Sequence, residues 1–175
     1  MSRYFFALWP DAPTASALHE TSVSLAEISG GRAIPAEKIH MTLAFLGGLE
    51  PAALARAQSL APEVTGVPFS MTLDGVGAFR NAQVAWAAPG EVPRELRNLQ
   101  AALSATLREA GFELEERAFA PHVTLARRIG KRVPRAPIGP VEWRVDDFVL
   151  AESVTGTGRY EVVERWKLGF PPPRE

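Results

Sequence analysis

Apolar positions along this chain recur with two different periods. Between Pro93 and Gly111, Leu96, Leu99, Leu103 and Leu107 repeat at steps of three and four, which is one face of an α-helix. Pro93 suits the start of that helix and Gly111 the position just past its end. A longer helix is predicted over about Ala12 to Ser29. Asp11 is a good N-cap, Pro13 falls in the first turn, Leu18, Leu25 and Ile28 follow at near-helical spacing, and Gly30-Gly31 stops the run. Pro51 opens a third, shorter helix to about Leu60. The remaining apolar runs read as strands: Tyr4 to Trp9, Ile39 to Leu46, Phe69 to Leu73, Val84 to Ala87, Phe119 to Arg127, Trp143 to Glu152 and Tyr160 to Leu168. Gly75 and Gly77 predict a bulge or bend in the continuation of the Phe69 strand. Gly130 to Pro140 reads as a loop, and Pro171-Pro172-Pro173 as the end of ordered structure. Several neighbouring strands are joined by short loops, so the pattern predicts an antiparallel α+β protein and not a doubly wound parallel sheet.

Within two of these strands lies a repeat. Ile39-His40-Met41-Thr42-Leu43-Ala44 returns as Pro121-His122-Val123-Thr124-Leu125-Ala126. The shared pattern is His-x-Thr-Leu-Ala, offset by 82 positions. Alternate side chains of a strand share a face, so His40 goes with Thr42 and His122 with Thr124, each pair backed by apolar residues. Two such strands facing each other across a cleft would surround one small ligand with two imidazoles and two hydroxyls. Imidazole titrates near neutrality, so one ring can accept a proton while the other donates one. Each role is typically worth about 10²–10⁴ in rate. Threonine hydroxyls can donate hydrogen bonds to phosphoryl oxygens. A phosphodiester fits this set: one histidine activates water, phosphorus is attacked, and the other protonates the departing alkoxide. One His-x-Thr carries little weight, because such segments are common in strands. Two copies among only three histidines carry much more, although duplication without catalysis is the competing reading. His19, on the first predicted helix and outside the motif, reads as a surface or boundary residue.

Composition narrows the chemistry. A length of 175 residues suits one domain over 1–175, or two small lobes sharing a core. With no cysteine, disulfides, thiolate nucleophiles and Cys-ligated metals are excluded. Three histidines strain any site needing three or four of them, so neither metal nor cofactor is expected. The net charge of −1 makes a globally basic coat implausible, so any polyanion must meet a local patch. No apolar run approaches the ~20 residues of a membrane span, and the first ten residues do not resemble a signal peptide. A cytoplasmic protein with no membrane partner is the expectation.

Paired motifs with these flanks resemble the two-histidine phosphoesterase superfamily, and within it the RNA 2',3'-cyclic phosphodiesterases, also called 2'-5' RNA ligases. The resemblance covers nearly the whole chain. Arg3 to Leu8 looks like the family's opening strand, Lys38 to Gly47 like its first motif, and Phe119 to Arg127 like its second. Glu152-Ser153 and Arg159-Tyr160 resemble its closing strands. The resemblance implies a bilobal, pseudo-two-fold α+β fold. Two mainly antiparallel sheets would flank a central cleft, with helices outside. It implies hydrolysis of RNA 2',3'-cyclic phosphate ends to 2'-phosphate ends, with reversible 2'-5' ligation as a companion activity. RNA fragments, tRNA pieces among them, would be the partner of a monomeric enzyme. In the family the first histidine is the general acid and the second the general base, so His40 would donate and His122 would activate water. The residues alone leave the two interchangeable.

Arg127 matches the family's cation after the second motif, expected near phosphate. Strict alternation, however, gives Arg127 the parity of Val123 and Leu125 and turns it away from His122. It reaches the cleft only if the strand twists, bulges or ends there; otherwise it is a solvated strand-end arginine. Arg127, Arg128, Lys131, Arg132 and Arg135 form a local positive patch, suited either to RNA phosphates or to a solvated loop. Phe5, Phe6, Trp9 and Phe45 are expected in the core more than as base-stacking platforms. Three other readings stay open. The same site could act on small cyclic nucleotides or an ADP-ribose cyclic phosphate, the protein could bind RNA ends without catalysis, or, least favoured, it could be a metallohydrolase.

Overall fold

Asp11 caps the first helix as its type predicts: its Oδ1 accepts from the Thr14 backbone N–H at 2.9 Å. In the computed structural model, which describes residues 2–169, that helix is α1 (Ala12–Ser29). It ends at Gly30, whose φ of 71° is the left-handed conformation glycine tolerates. α2 (Pro51–Leu60) and α3 (Arg94–Glu109) also follow the pattern. The four leucines of the α3 stripe are at most 1% exposed. At about 2 kcal/mol for each buried leucine, they anchor the helix to the sheet. The predicted end of order at Pro171–Pro173 lies outside the described residues.

Among the described residues nine strands, all paired antiparallel, make one curled sheet. They are β1 (Ser2–Leu8), β2 (Arg32–Ala33), β3 (Met41–Gly47), β4 (Phe69–Phe79), β5 (Val84–Pro89), β6 (Val123–Arg127), β7 (Ala136–Val145), β8 (Asp147–Val154) and β9 (Arg159–Lys167). The order is β7-β4-β5-β6-β3-β1-β8-β9, with the two-residue β2 beside β6. Two four-stranded halves, β3-β1-β8-β9 and β7-β4-β5-β6, therefore lie side by side. They are joined by the single β3–β6 pair Met41↔Val123. Those two residues are 82 positions apart, so each is the other's counterpart in the repeat. The pseudo-two-fold axis passes between them.

Three stretches differ from the sequence pattern, the first being the strand predicted from Phe119, which begins only at Val123. The predicted strand from Trp143 to Glu152 is two strands. β7 pairs with β4 in one half, the chain breaks at Asp146, and β8 pairs with β1 and β9 in the other. Part of the predicted loop, from Ala136 onward, also belongs to β7. Pro137 and Pro140 are tolerated there because β7 is an edge strand, bonded only to β4. The bend foreseen at Gly75 is present as a register shift between Leu73 and Gly75 against both neighbours. Gly77 is needed for a different reason. A Cβ there would meet the Trp86 ring at 2.5 Å.

Candidate active site

Both histidines sit one residue before their strands, β3 and β6, and not inside them. The two are held in the same way. His40 Nδ1 bonds the Lys38 carbonyl at 2.7 Å, and His122 Nδ1 bonds the Ala120 carbonyl at 2.8 Å. A carbonyl only accepts, so each Nδ1 carries a proton, and in the neutral ring Nε2 is left free to exchange one. An antiparallel register through Met41↔Val123 sets His40 toward Thr124 and Thr42 toward His122. Each imidazole thus faces the threonine of the other motif.

Each motif also carries a bulge at its leucine. Between β1 and β3 the register slips between Phe6↔Ala44 and Ala7↔Thr42, leaving Leu43 as the extra residue. Between β5 and β6 it slips between Ala85↔Ala126 and Trp86↔Thr124, leaving Leu125 extra. A bulge frees a backbone carbonyl that must find another donor. Gln100 Nε2 of α3 supplies one to Leu43 at 3.2 Å, and Ser22 Oγ of α1 supplies one to Leu125 at 2.5 Å. The bulges settle the parity problem. Past Leu125 the alternation is reset, and Arg127 joins His40, Thr42, His122 and Thr124 around one cavity of about 380 Å³. The same reset puts Phe45, paired with Phe5, on the cleft face. There it is 47% exposed, against the expectation that it belongs to the core.

Aromatic rings surround His40. Trp9 stacks on it (centroids 4.8 Å, 12° between planes), Phe5 tilts against it at 4.9 Å, and Tyr160 meets it edge-on at 5.4 Å. Of the aromatics expected in the core, Phe5 and Phe6 are buried, while Trp9 is half-buried against the imidazole. Burial among these rings disfavours the charged form and lowers the pKa of His40 from 6.5 to about 4. The Lys38 carbonyl bond opposes the shift, and the positive charges of Arg127 and of protonated His122 add to it. His40 is therefore neutral at pH 7. His122 meets Phe79 edge-to-face at 4.9 Å and 89°. His19 stands apart, its Nδ1 at 2.9 Å from the Ile34 carbonyl.

Sequence reasoning did not single out Lys38, Ser153 or Tyr160 for the cleft they also line, and it named Arg128 only as part of the basic patch. Ser153 and Tyr160 are direct partners across β8 and β9. The family-like closing strands were the only signal for them. Of the basic patch, Arg127 and Arg128 line the cleft, while Lys131, Arg132 and Arg135 line a neighbouring hollow. Among the described residues no helix is long and apolar enough to cross a membrane.

Residues 12–157 match the model of the 2'-5' RNA ligase superfamily. The chain is 33% identical to an RNA 2',3'-cyclic phosphodiesterase of Archaeoglobus fulgidus, over 87% of this chain and 91% of that one. It is 32% identical to one of Escherichia coli K12, covering 79% and 80% respectively. The crystal structure of E. coli LigT complexed with 3'-AMP matches with a TM-score of 0.87 at 29% identity, covering 95% of this chain and 98% of that one.

Proposed function

The chain belongs to the 2'-5' RNA ligase superfamily, and from that premise we propose that it hydrolyses RNA 2',3'-cyclic phosphate ends to 2'-phosphate ends with His40 and His122 as the acid–base pair. The observation that carries this reading is the convergence of both His-x-Thr motifs, with Arg127, on one cavity. Free Nε2 atoms on both rings, fixed by matching Nδ1 bonds, are what proton transfer on two sides of one phosphorus requires.

His122 Nε2 takes a proton from water, whose oxygen attacks phosphorus. The bond to the 3' oxygen breaks, and His40 Nε2–H protonates that oxygen. A 2'-phosphate and a 3'-hydroxyl result. Thr42 and Thr124 hydroxyls donate to the non-bridging oxygens, and Arg127 offsets their charge. A donor must carry a proton, yet His40 alone is neutral at pH 7. The phosphodiester supplies the difference: its negative charge beside the ring favours imidazolium and counters Arg127 and His122. With a 5'-hydroxyl in place of water, the same steps form a 2'-5' phosphodiester and a 3'-hydroxyl, the ligation reaction. Neither reaction calls for a metal or cofactor, so turnover should survive EDTA. Both motifs come from one chain, which suits a monomer. An RNA substrate, tRNA fragments included, suits a cytoplasmic protein.

The test is incubation with an oligonucleotide ending in a 2',3'-cyclic phosphate, followed by identification of the product end. A 2'-phosphate is expected. A 3'-phosphate would reverse the leaving oxygen and the two roles, and no turnover would leave only an RNA-end binding module.

A further inference from the structure

Taking the cleft as an RNA-end site, we propose that the hollow beside it is a subsite for the phosphodiester backbone of the strand leading to the cyclic end. The hollow, of about 340 Å³, is walled by Arg80, Gln83 and the segment from Ile129 to Arg135. Arg80, Lys131, Arg132 and Arg135 bring four positive charges to it, and no carboxylate lines it. All four residues are exposed, and among the described residues none is in an ion pair. Like charges gathered in one hollow repel one another unless an anion lies among them.

A solvated loop would relieve that repulsion by splaying outward, but this segment is tied down at its start. The Ile129 N–H donates to the Gln83 carbonyl at 3.1 Å, and the Gly130 and Lys131 N–H groups both donate to the Ser29 carbonyl at 2.9 Å. Ile129 and Val133 are buried in the core. The chain enters the segment through Arg128 at φ 55°, beside Gln83 at φ 54°. That left-handed conformation is uncommon for non-glycine residues and clusters at functional sites.

The hollow continues from the cleft. Arg127 and Arg128 line the cleft, and the next residue, Ile129, lines the hollow. Phe79 stands between the two: it touches His122, and its neighbours Ala78 and Arg80 wall the hollow. It is 38% exposed. Arg135 already lies over the Trp86 ring at 5.7 Å. An exposed ring beside a cationic groove is how single-stranded nucleic acid is held, by base stacking and phosphate contacts together. An RNA whose 3' end occupies the cleft carries one phosphate per nucleotide on its 5' side, and that strand must leave past one wall. This wall offers four cations and an exposed ring in contact with His122. An acidic peptide would use the charges but would not need the ring next to His122.

The experiment compares wild type with Arg80→Ala/Lys131→Ala/Arg132→Ala, and separately with Arg132→Glu. kcat/KM is measured on a cyclic-phosphate decanucleotide and on 2',3'-cyclic AMP. The variants should lose at least tenfold on the decanucleotide, through KM, and stay within twofold on cyclic AMP. Binding of a fluorescent 2'-phosphate decanucleotide is followed in parallel by anisotropy in a His40→Ala/His122→Ala background, so that it reads independently of turnover. There the triple change should flatten the slope of log affinity against log salt by about 2, at roughly 0.7 per lost single-strand phosphate contact. Equal losses on both substrates, or unchanged decanucleotide affinity and slope, would overturn the subsite. If no substrate turns over in wild type, the hydrolytic reading fails while the anisotropy result still decides the subsite.

Discussion

His40 and His122 share a sequence motif, a leucine bulge and a backbone lock on Nδ1, and differ in almost everything around them. Among the described residues three rings close on His40, whereas His122 meets only Phe79, itself exposed. The position three residues past each threonine differs too. It is Arg127 in the second motif and Phe45 in the first, both on the cleft face after the bulge. Repetition has preserved the backbone that aims two imidazoles at one point. The surroundings have made those imidazoles chemically unequal. The first half packs aromatic rings around its imidazole, and the second half gathers cations for an anion. Two equal rings are poor acid–base partners, because one must be protonated while the other is not.

Removing either ring should have the largest effect. His40→Ala and His122→Ala should each lower kcat by about 10²–10⁴-fold, with circular dichroism showing a retained fold. If only one substitution mattered, the rings would not act as a pair. Next is the Arg127–Phe45 contrast. Arg127→Ala should raise KM about tenfold, the loss of one charge-assisted phosphate contact, while Phe45→Ala stays within twofold. Equal effects would erase the distinction between the halves. The smallest effect concerns titration of the His40 ring, read by NMR. Its midpoint should lie near 4. Trp9→Ala should move it up by about one unit as water reaches the ring, inorganic phosphate should also raise it, and Phe79→Ala should leave it in place. Stability follows the same shift. The folded value lies below the unfolded value of 6.5, so between about 6.5 and 4 the unfolded chain binds more protons. The protein should lose stability as pH falls through that window, by at most about 3 kcal/mol. His40→Gln should flatten the dependence in thermal melts.

Much of the fold was legible because it rests on short-range rules. The α3 leucines, the Asp11 cap and Gly30 each act within a turn or two of helix, and the structure follows them. The stretch from Ala136 to Val154 was harder. Apolar alternation looks the same whether a strand keeps its partner or changes it, so the switch of halves at Asp146 left no mark in the pattern. Pro137 and Pro140 argue for loop until β7 is known to be an edge strand. The bulges at Leu43 and Leu125 had no local signal either. They depend on strand partners and on helix side chains, Gln100 and Ser22, that lie distant in the chain. Arg127 and Phe45 could not be placed without them.

By itself the sequence determined where the helices and most of the strands form and which side chains have the chemistry for proton transfer to and from a phosphate. Both follow from neighbouring residues: backbone preference, side-chain period and the intrinsic pKa of imidazole. Only the tertiary structure decided that His40 and His122 share one cavity, that Arg127 turns into it, and that Trp9, Phe5 and Tyr160 keep His40 neutral. Proximity, desolvation and electric field belong to positions in space, and Phe5 and Tyr160 meet His40 from opposite ends of the chain.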